Sequence, residues 1–168
     1  MITKETLIDL ANRQKKLDDY IYEKRQIKFN EEISNKKLIA FFVELGEFIN
    51  EERSFKFWSQ KTASPRNILL EEYIDGMHFI LSIGIEINFD FCGFSLNLPV
   101  KLENLELDYL ELIKNFSNYA QKKSLKNYEK LITSFLLIGT WFSFTEKELL
   151  ETYFKKNEIN FNRQNDNY

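Results

Sequence analysis

The sequence is short of everything that breaks a helix or staples a fold. Only 2 Pro and 5 Gly occur in 168 residues, which excludes collagen, a disordered linker and most turn-rich β sandwiches. A single cysteine, Cys92, excludes an internal disulfide framework. Excess positive charge is also missing. The formal net charge is -3 and the sequence pI is about 5.4, so there is no electrostatic footprint for wrapping nucleic acid, whose binding rests mainly on phosphate neutralisation by Lys and Arg. A nucleotide held through metal ions stays open. Long apolar runs are absent as well: Leu38 to Val43 and Phe135 to Ile138 fall far below the ~20 residues that cross a bilayer. The opening MITKETLIDLANRQKK carries acids and amides where a secretory signal has an apolar core. The expectation is a cytoplasmic protein without a membrane span. What the chain has in excess is aromatic residues, 15% of the total and led by 16 Phe.

Apolar spacing organises the chain into helices. Leu7, Leu10, Ala11, Leu17 and Ile21 recur every three or four residues, which predicts an amphipathic helix over about 3–25 with Gln14 inside its apolar stripe. A second helix over about 36–52 carries Leu38, Phe41, Phe42, Leu45, Phe48 and Ile49 around most of its circumference, the pattern of a buried helix. The stretch SFKFWSQKTASPRN reads as a connection, because Pro65 disfavours helix at Ser64. A third helix is predicted over about 68–85, then a short irregular or strand-like segment near 86–100, then helices over about 105–122 and 124–142. Thr145 with Glu148 three residues later is a capping-box pattern that opens a last helix, LLETYFKKN, before a polar tail at about 157–168. The chain is therefore read as one domain, 1–168, an all-α multi-helix bundle.

Two helices carry acids in an unusual setting. Glu44 and Glu47 are spaced i, i+3, with Glu51 a turn further on, and Glu72 with Asp75 repeat that spacing on the third helix, with Glu86 near the same line. Either motif alone is commonly a solvated helix face. Both stripes, however, lie beside apolar surface, so antiparallel packing would bring four carboxylates together in a partly dry cleft. Buried charges must be paired, protonated or bound to metal. Magnesium answers this with oxygen ligands, and it keeps waters that it can share with substrate phosphates. The metal candidates are thus Glu44, Glu47, Glu72 and Asp75.

The segments KKLIAFFVELGEFINEERSFKFWS and LLEEYIDGMHFILSIGIE, flanked by QKKLDDYI and KKNEINFNRQNDNY in the same chain order, resemble the motifs of the dimeric all-α dUTPases. Those enzymes are relatives of the MazG-like, all-α nucleoside triphosphate pyrophosphatases. The resemblance covers residues 7–86 and 154–168. It implies a homodimeric dUTP diphosphatase using Mg²⁺, hydrolysing dUTP and dUDP to dUMP and thereby limiting uracil incorporation into DNA. It also implies that Glu44, Glu47, Glu72 and Asp75 bind magnesium, with Glu47 as general base for an attacking water and Glu44 and Glu72 as rival bases.

Further roles follow from the same resemblance. Gln14 and Trp58 are expected to recognise uracil, the carboxamide by hydrogen bonds and the indole by stacking. Lys56 is expected to reach phosphate. His78, the only histidine, is expected to be a satisfied core group or to line the deoxyribose pocket with Phe79. Lys156, Asn160, Arg163 and Tyr168 match the spacing of a phosphate-binding segment that closes on the nucleotide, with Asn167 where the family usually has Gly. Two other readings stand beside this one. The same fold could serve another nucleotide such as dCTP or a modified triphosphate, because the Gln14 amide can flip to suit cytosine. Alternatively, the acids could serve a non-enzymatic helical interaction or regulatory protein.

Overall fold

The computed structural model describes residues 2–98 and 102–165. They form six helices: α1 (Lys4–Arg25), α2 (Glu31–Glu52), α3 (Arg66–Glu86), α4 (Leu105–Gln121), α5 (Leu125–Trp141) and α6 (Glu146–Asn165). Short polar side chains start most of them. Thr3, Asn30, Asn104 and Ser124 each accept a hydrogen bond from the backbone N–H three residues on, satisfying donors that the helix itself leaves orphaned. At α6 the capping box forms in both directions: Glu148 N–H donates to Thr145 Oγ1 at 3.2 Å, and Thr145 N–H donates to Glu148 Oε2 at 2.8 Å. Gln26 and Arg53 end α1 and α2 in the left-handed region, with φ of 53° and 73°.

Helix α3 is the axis of the bundle, with Ile74, Met77, Ile80 and Leu81 fully buried. Helix α2 lies antiparallel to it, since Lys37 meets Glu86 near one end and Phe48 meets Tyr73 toward the other. Helix α1 runs parallel to α3, with Gln14 against His78 and Asp18 against Ser82. Helices α4 and α5 form an antiparallel hairpin that closes the other side, where Tyr73 stacks on Phe135 with ring centroids 4.6 Å apart.

Two local readings differ from the sequence pattern, and a third settles on one of its two alternatives. The segment after α3 is the irregular form, with no strand among the described residues. Asp90 Oδ1 accepts from the N–H groups of Cys92 and Gly93 to make a turn, and Phe89, Phe91 and Phe94 pack together beside Tyr128. Helix α2 is not buried all round: Ile39, Phe42 and Val43 face outward, Ile39 at 63% exposure. Helix α6 continues to Asn165 instead of stopping near Asn157, because Tyr20 and Arg25 of α1 hydrogen-bond Asn165 and Gln164.

Candidate active site

Antiparallel packing of α2 on α3 brings Glu44, Glu72 and Asp75 together, so that one oxygen of each lies within 4.8 Å of the others. Burial is the main force acting on them, and mutual repulsion adds to it. Glu44 is pushed up to about 7, first by desolvation and then by Asp75, Glu47 and Glu72. Desolvation, with Asp75 and Glu47 next, also raises Glu72. Desolvation raises Asp75 too, opposed by the ammonium of Lys156, whose Nζ donates to Asp75 Oδ2 at 2.6 Å. Three convergent oxygens beside one ammonium carry more negative charge than the cluster can balance. This donor set fits a divalent cation that prefers oxygen.

Beside the cluster lies a cavity of about 410 Å³. Glu44 and Asp75 stand on its wall, with Gln14 and Asp18 from α1, Lys37 from α2, His78, Phe79 and Ser82 from α3, and Lys156, Asn160 and Arg163 from α6. Gln14 is buried at 4% exposure and fully engaged on its oxygen. Oε1 accepts from Tyr153 OH at 2.8 Å and lies 2.7 Å from His78 Nδ1, while Nε2 donates to Asp18 Oδ1 at 2.7 Å. His78 stacks on Tyr153, with ring centroids 4.1 Å apart. Desolvation and the nearby Lys156 push His78 down to about 3, so its ring is neutral at ordinary pH.

Most of the sequence-nominated residues thus gather in one place. Glu44, Glu72 and Asp75 form the trio, and Gln14, His78, Phe79, Lys156, Asn160 and Arg163 share the cavity. Others stand apart. Glu47 is exposed and outside the trio, although its charge acts on Glu44 and Glu72. Trp58 is 66% exposed and sits edge-on to Phe55 and Phe57 in the α2–α3 connection. Lys56 donates to the backbone oxygen and side-chain Oδ1 of Asn50, away from the cavity. Glu86 does not join the acids but pairs with Lys37 at 2.5 Å. Tyr168 lies outside the described residues.

Sequence reasoning missed Asp18, Lys37, Ser82 and Tyr153. The Asp18–Lys37–Glu86 chain joins α1, α2 and α3, with Lys37 Nζ 3.3 Å from Asp18 Oδ2. One signal was available: Asp18 follows Gln14 at i+4, on the same helix face.

Six helices that set a carboxylate cluster beside a cavity of mixed polar and apolar lining make this an all-α bundle with a built metal-type site. Residues 6–168 match the family model described as dUTPase, and the chain belongs to that family. No curated protein matches the chain. As a member of this family it is a dUTP diphosphatase-type enzyme with a nucleotide substrate. No helix among the described residues is long and apolar enough to cross a membrane.

Proposed function

We propose that the protein is a Mg²⁺-dependent dUTP diphosphatase that converts dUTP, and also dUDP, to dUMP, lowering the dUTP available for incorporation into DNA. The observation that carries this reading is the convergence of Glu44, Glu72 and Asp75 beside a cavity with Gln14 on one wall and Lys156 and Arg163 on another. The acidic trio suits a metal-bound phosphate chain, the amide a base, and the two cationic side chains of α6 phosphate oxygens.

Glu44, Glu47, Glu72 and Asp75 would hold Mg²⁺. When bound, the ion supplies charge neutralisation for the phosphates and a lowered pKa for water. Glu47, the most accessible of the four, takes a proton from the water that attacks phosphorus, and Lys156 and Arg163 take up phosphate charge from α6. The end of α6 and the residues beyond it, about 157–168, close over the nucleotide, with Asn160 and Tyr168 as hydrogen-bonding groups. Gln14 reads the base. Lys56, half-buried and released from Asn50, and the exposed Trp58 reach phosphate and base when the α2–α3 connection folds over the substrate.

The same reading includes a homodimer acting in the cytoplasm, where nucleotide pools are spent. Supporting it, α2 presents Ile39, Phe42 and Val43 and α4 presents Leu107, Leu110 and Ile113 to the outside. Exposed apolar side chains grouped on a helix in this way are what an interaction site offers. Ile39→Glu is expected to shift the mass measured by light scattering from two chains to one.

The deciding experiment is product analysis over a panel of deoxynucleoside tri- and diphosphates, with Mg²⁺ and then with EDTA. The expected result is dUMP from dUTP and dUDP, abolished by EDTA. Hydrolysis of dCTP or a modified triphosphate in preference to dUTP would overturn the substrate assignment. Turnover that persists in EDTA would overturn the metal.

A further inference from the structure

The hydrogen bonds around Gln14 propagate a single direction through the cavity wall. A carboxamide has two acceptor positions on oxygen and two donors on nitrogen. The Asp18 carboxylate, ion-paired with Lys37 at 3.3 Å, can only accept, so the nitrogen of Gln14 must face it, as the 2.7 Å contact requires. Oε1 is thereby turned toward Tyr153 and His78. An amide oxygen brings no hydrogen to the 2.7 Å contact with His78 Nδ1, so Nδ1 must carry the proton. A neutral ring protonated on Nδ1 leaves a bare lone pair on Nε2. That atom is buried and has no hydrogen-bond partner.

Two valences stay unused on residues that line the cavity, a second N–H on Gln14 and a lone pair on His78 Nε2, the latter closed to solvent until a ligand displaces its neighbours. Asp18 is itself held from a second side, where Ser82 Oγ donates to its Oδ2 at 2.5 Å. A flip of the Gln14 amide would set oxygen against carboxylate oxygen. Without Asp18 the flipped state loses that penalty. Tyr153 OH can turn to Leu10 O at 3.3 Å, and His78 can move its proton to Nε2.

We propose that Asp18 is the positioning residue that sets the choice of uracil over cytosine, by fixing Gln14 as a donor and, through it, His78 as an acceptor. This rests on the cavity being the nucleotide site of a dUTP diphosphatase. A donor beside an acceptor matches the carbonyl and imide N–H of uracil. Cytosine offers an amino group and an unprotonated ring nitrogen at the same edge, opposing both. A buried polar site matched to one hydrogen-bond pattern rejects its reverse because both partners are left unpaired.

Two measurements on the full chain and its Asp18→Ala variant test this. The first is the ¹⁵N spectrum of histidine-labelled protein. The chain holds a single histidine, so one spin system reports on His78 without assignment. Wild type is expected to show the Nδ1–H tautomer with a pyridine-like Nε2, and the variant a mixture or the other tautomer. The second is the ratio of kcat/KM for dUTP to that for dCTP, expected to fall at least tenfold in Asp18→Ala. A merely loosened fold would lower both rates together and leave the ratio unchanged.

An Nε2–H tautomer in wild type, or an unchanged ratio in a folded variant, overturns the proposal. Asp18→Leu, which fills the vacated volume while removing the acceptor, serves if the alanine variant does not fold. If wild type hydrolyses neither nucleotide, the assigned function itself fails. If wild type prefers dUTP and both Asp18 variants keep that preference, only the role of Asp18 fails.

Discussion

Lys156 Nζ lies 2.6 Å from Asp75 Oδ2 and 3.9 Å from Glu71 Oε2, which places a built-in countercharge against the carboxylate trio. Both Lys156 and Asp75 are largely withdrawn from water, so the pair is screened less than a surface ion pair. Replacing Lys156 by Met removes that charge and leaves the carboxylates to repel. The metal-free variant is expected to melt about 2–4 °C lower, corresponding to roughly 1 kcal/mol for a chain of this size. Adding Mg²⁺ should narrow the gap, because the ion takes over the neutralisation. Calorimetry in EDTA and in Mg²⁺ checks this, and an equal deficit in both would show that Lys156 acts through packing alone.

The raised carboxylates make the stability of the metal-free protein depend on pH. Glu44, with a folded pKa of about 7 against an ordinary 4.5, holds its proton more tightly when folded than when unfolded. Stability rises with pH only where the unfolded state binds more protons, so here it falls as pH rises from about 4.5 through 7. Glu72 and Asp75, both raised, act in the same direction. His78, pushed down to about 3 from an ordinary 6.5, works the other way up to about pH 6.5, so in EDTA the melting temperature is expected to decline chiefly from there through pH 7. Glu44→Gln should flatten the decline and raise stability above pH 7. A profile identical in wild type and Glu44→Gln would count against a strained trio.

How far the site was legible depended on sequence separation. Glu44 with Glu47, and Glu72 with Asp75, declared themselves through i, i+3 spacing on apolar helices, and Gln14 through being polar in an apolar stripe. Thr145 and Glu148 announced the start of α6 for the same local reason. The end of α6 did not announce itself, because its Asn-rich last turns depend on Tyr20 and Arg25 at the far end of the chain. Asp18 was hidden for a related reason: beside Asp19 it reads as a solvated acid, and only packing against Lys37 and Ser82 reveals it as buried. The outward face of α2 was misread because periodicity reports where apolar residues lie and not what covers them.

Gly139 shows how tightly the aromatic core supports the site. A Cβ there would lie 2.6 Å from Tyr73 Oη and 2.8 Å from its Cζ. Tyr73 cannot give way, since it is buried and stacked on Phe135. Gly139→Ala is expected to cost about 1–3 kcal/mol by overpacking. Because Tyr73 sits between Glu72 and Asp75 in the chain, turnover should fall as well. Gly46→Ala, with nothing within 4 Å of the added Cβ, should instead stabilise α2 by roughly 0.5–1 kcal/mol. Denaturant titration of both variants separates the two cases, and equal midpoints would contradict the packing argument.

Phe79 follows His78 on α3 and lines the same cavity, offering an apolar ring beside a wall of fixed polar groups. A ribose 2′-OH placed against such a ring loses its hydrogen bonds to water and gains none, and the cost of that loss is what would separate dUTP from UTP. Truncation to Phe79→Ala opens space for water to satisfy the hydroxyl. The preference for dUTP over UTP, measured as a ratio of kcat/KM values, is expected to fall by roughly 10–100-fold, the range available to an apolar pocket facing an added hydroxyl. The fall should come mainly from faster use of UTP, through a lower KM, with dUTP losing only the contact area of the ring. A ratio unchanged by the truncation would place the sugar elsewhere in the cavity, away from α3.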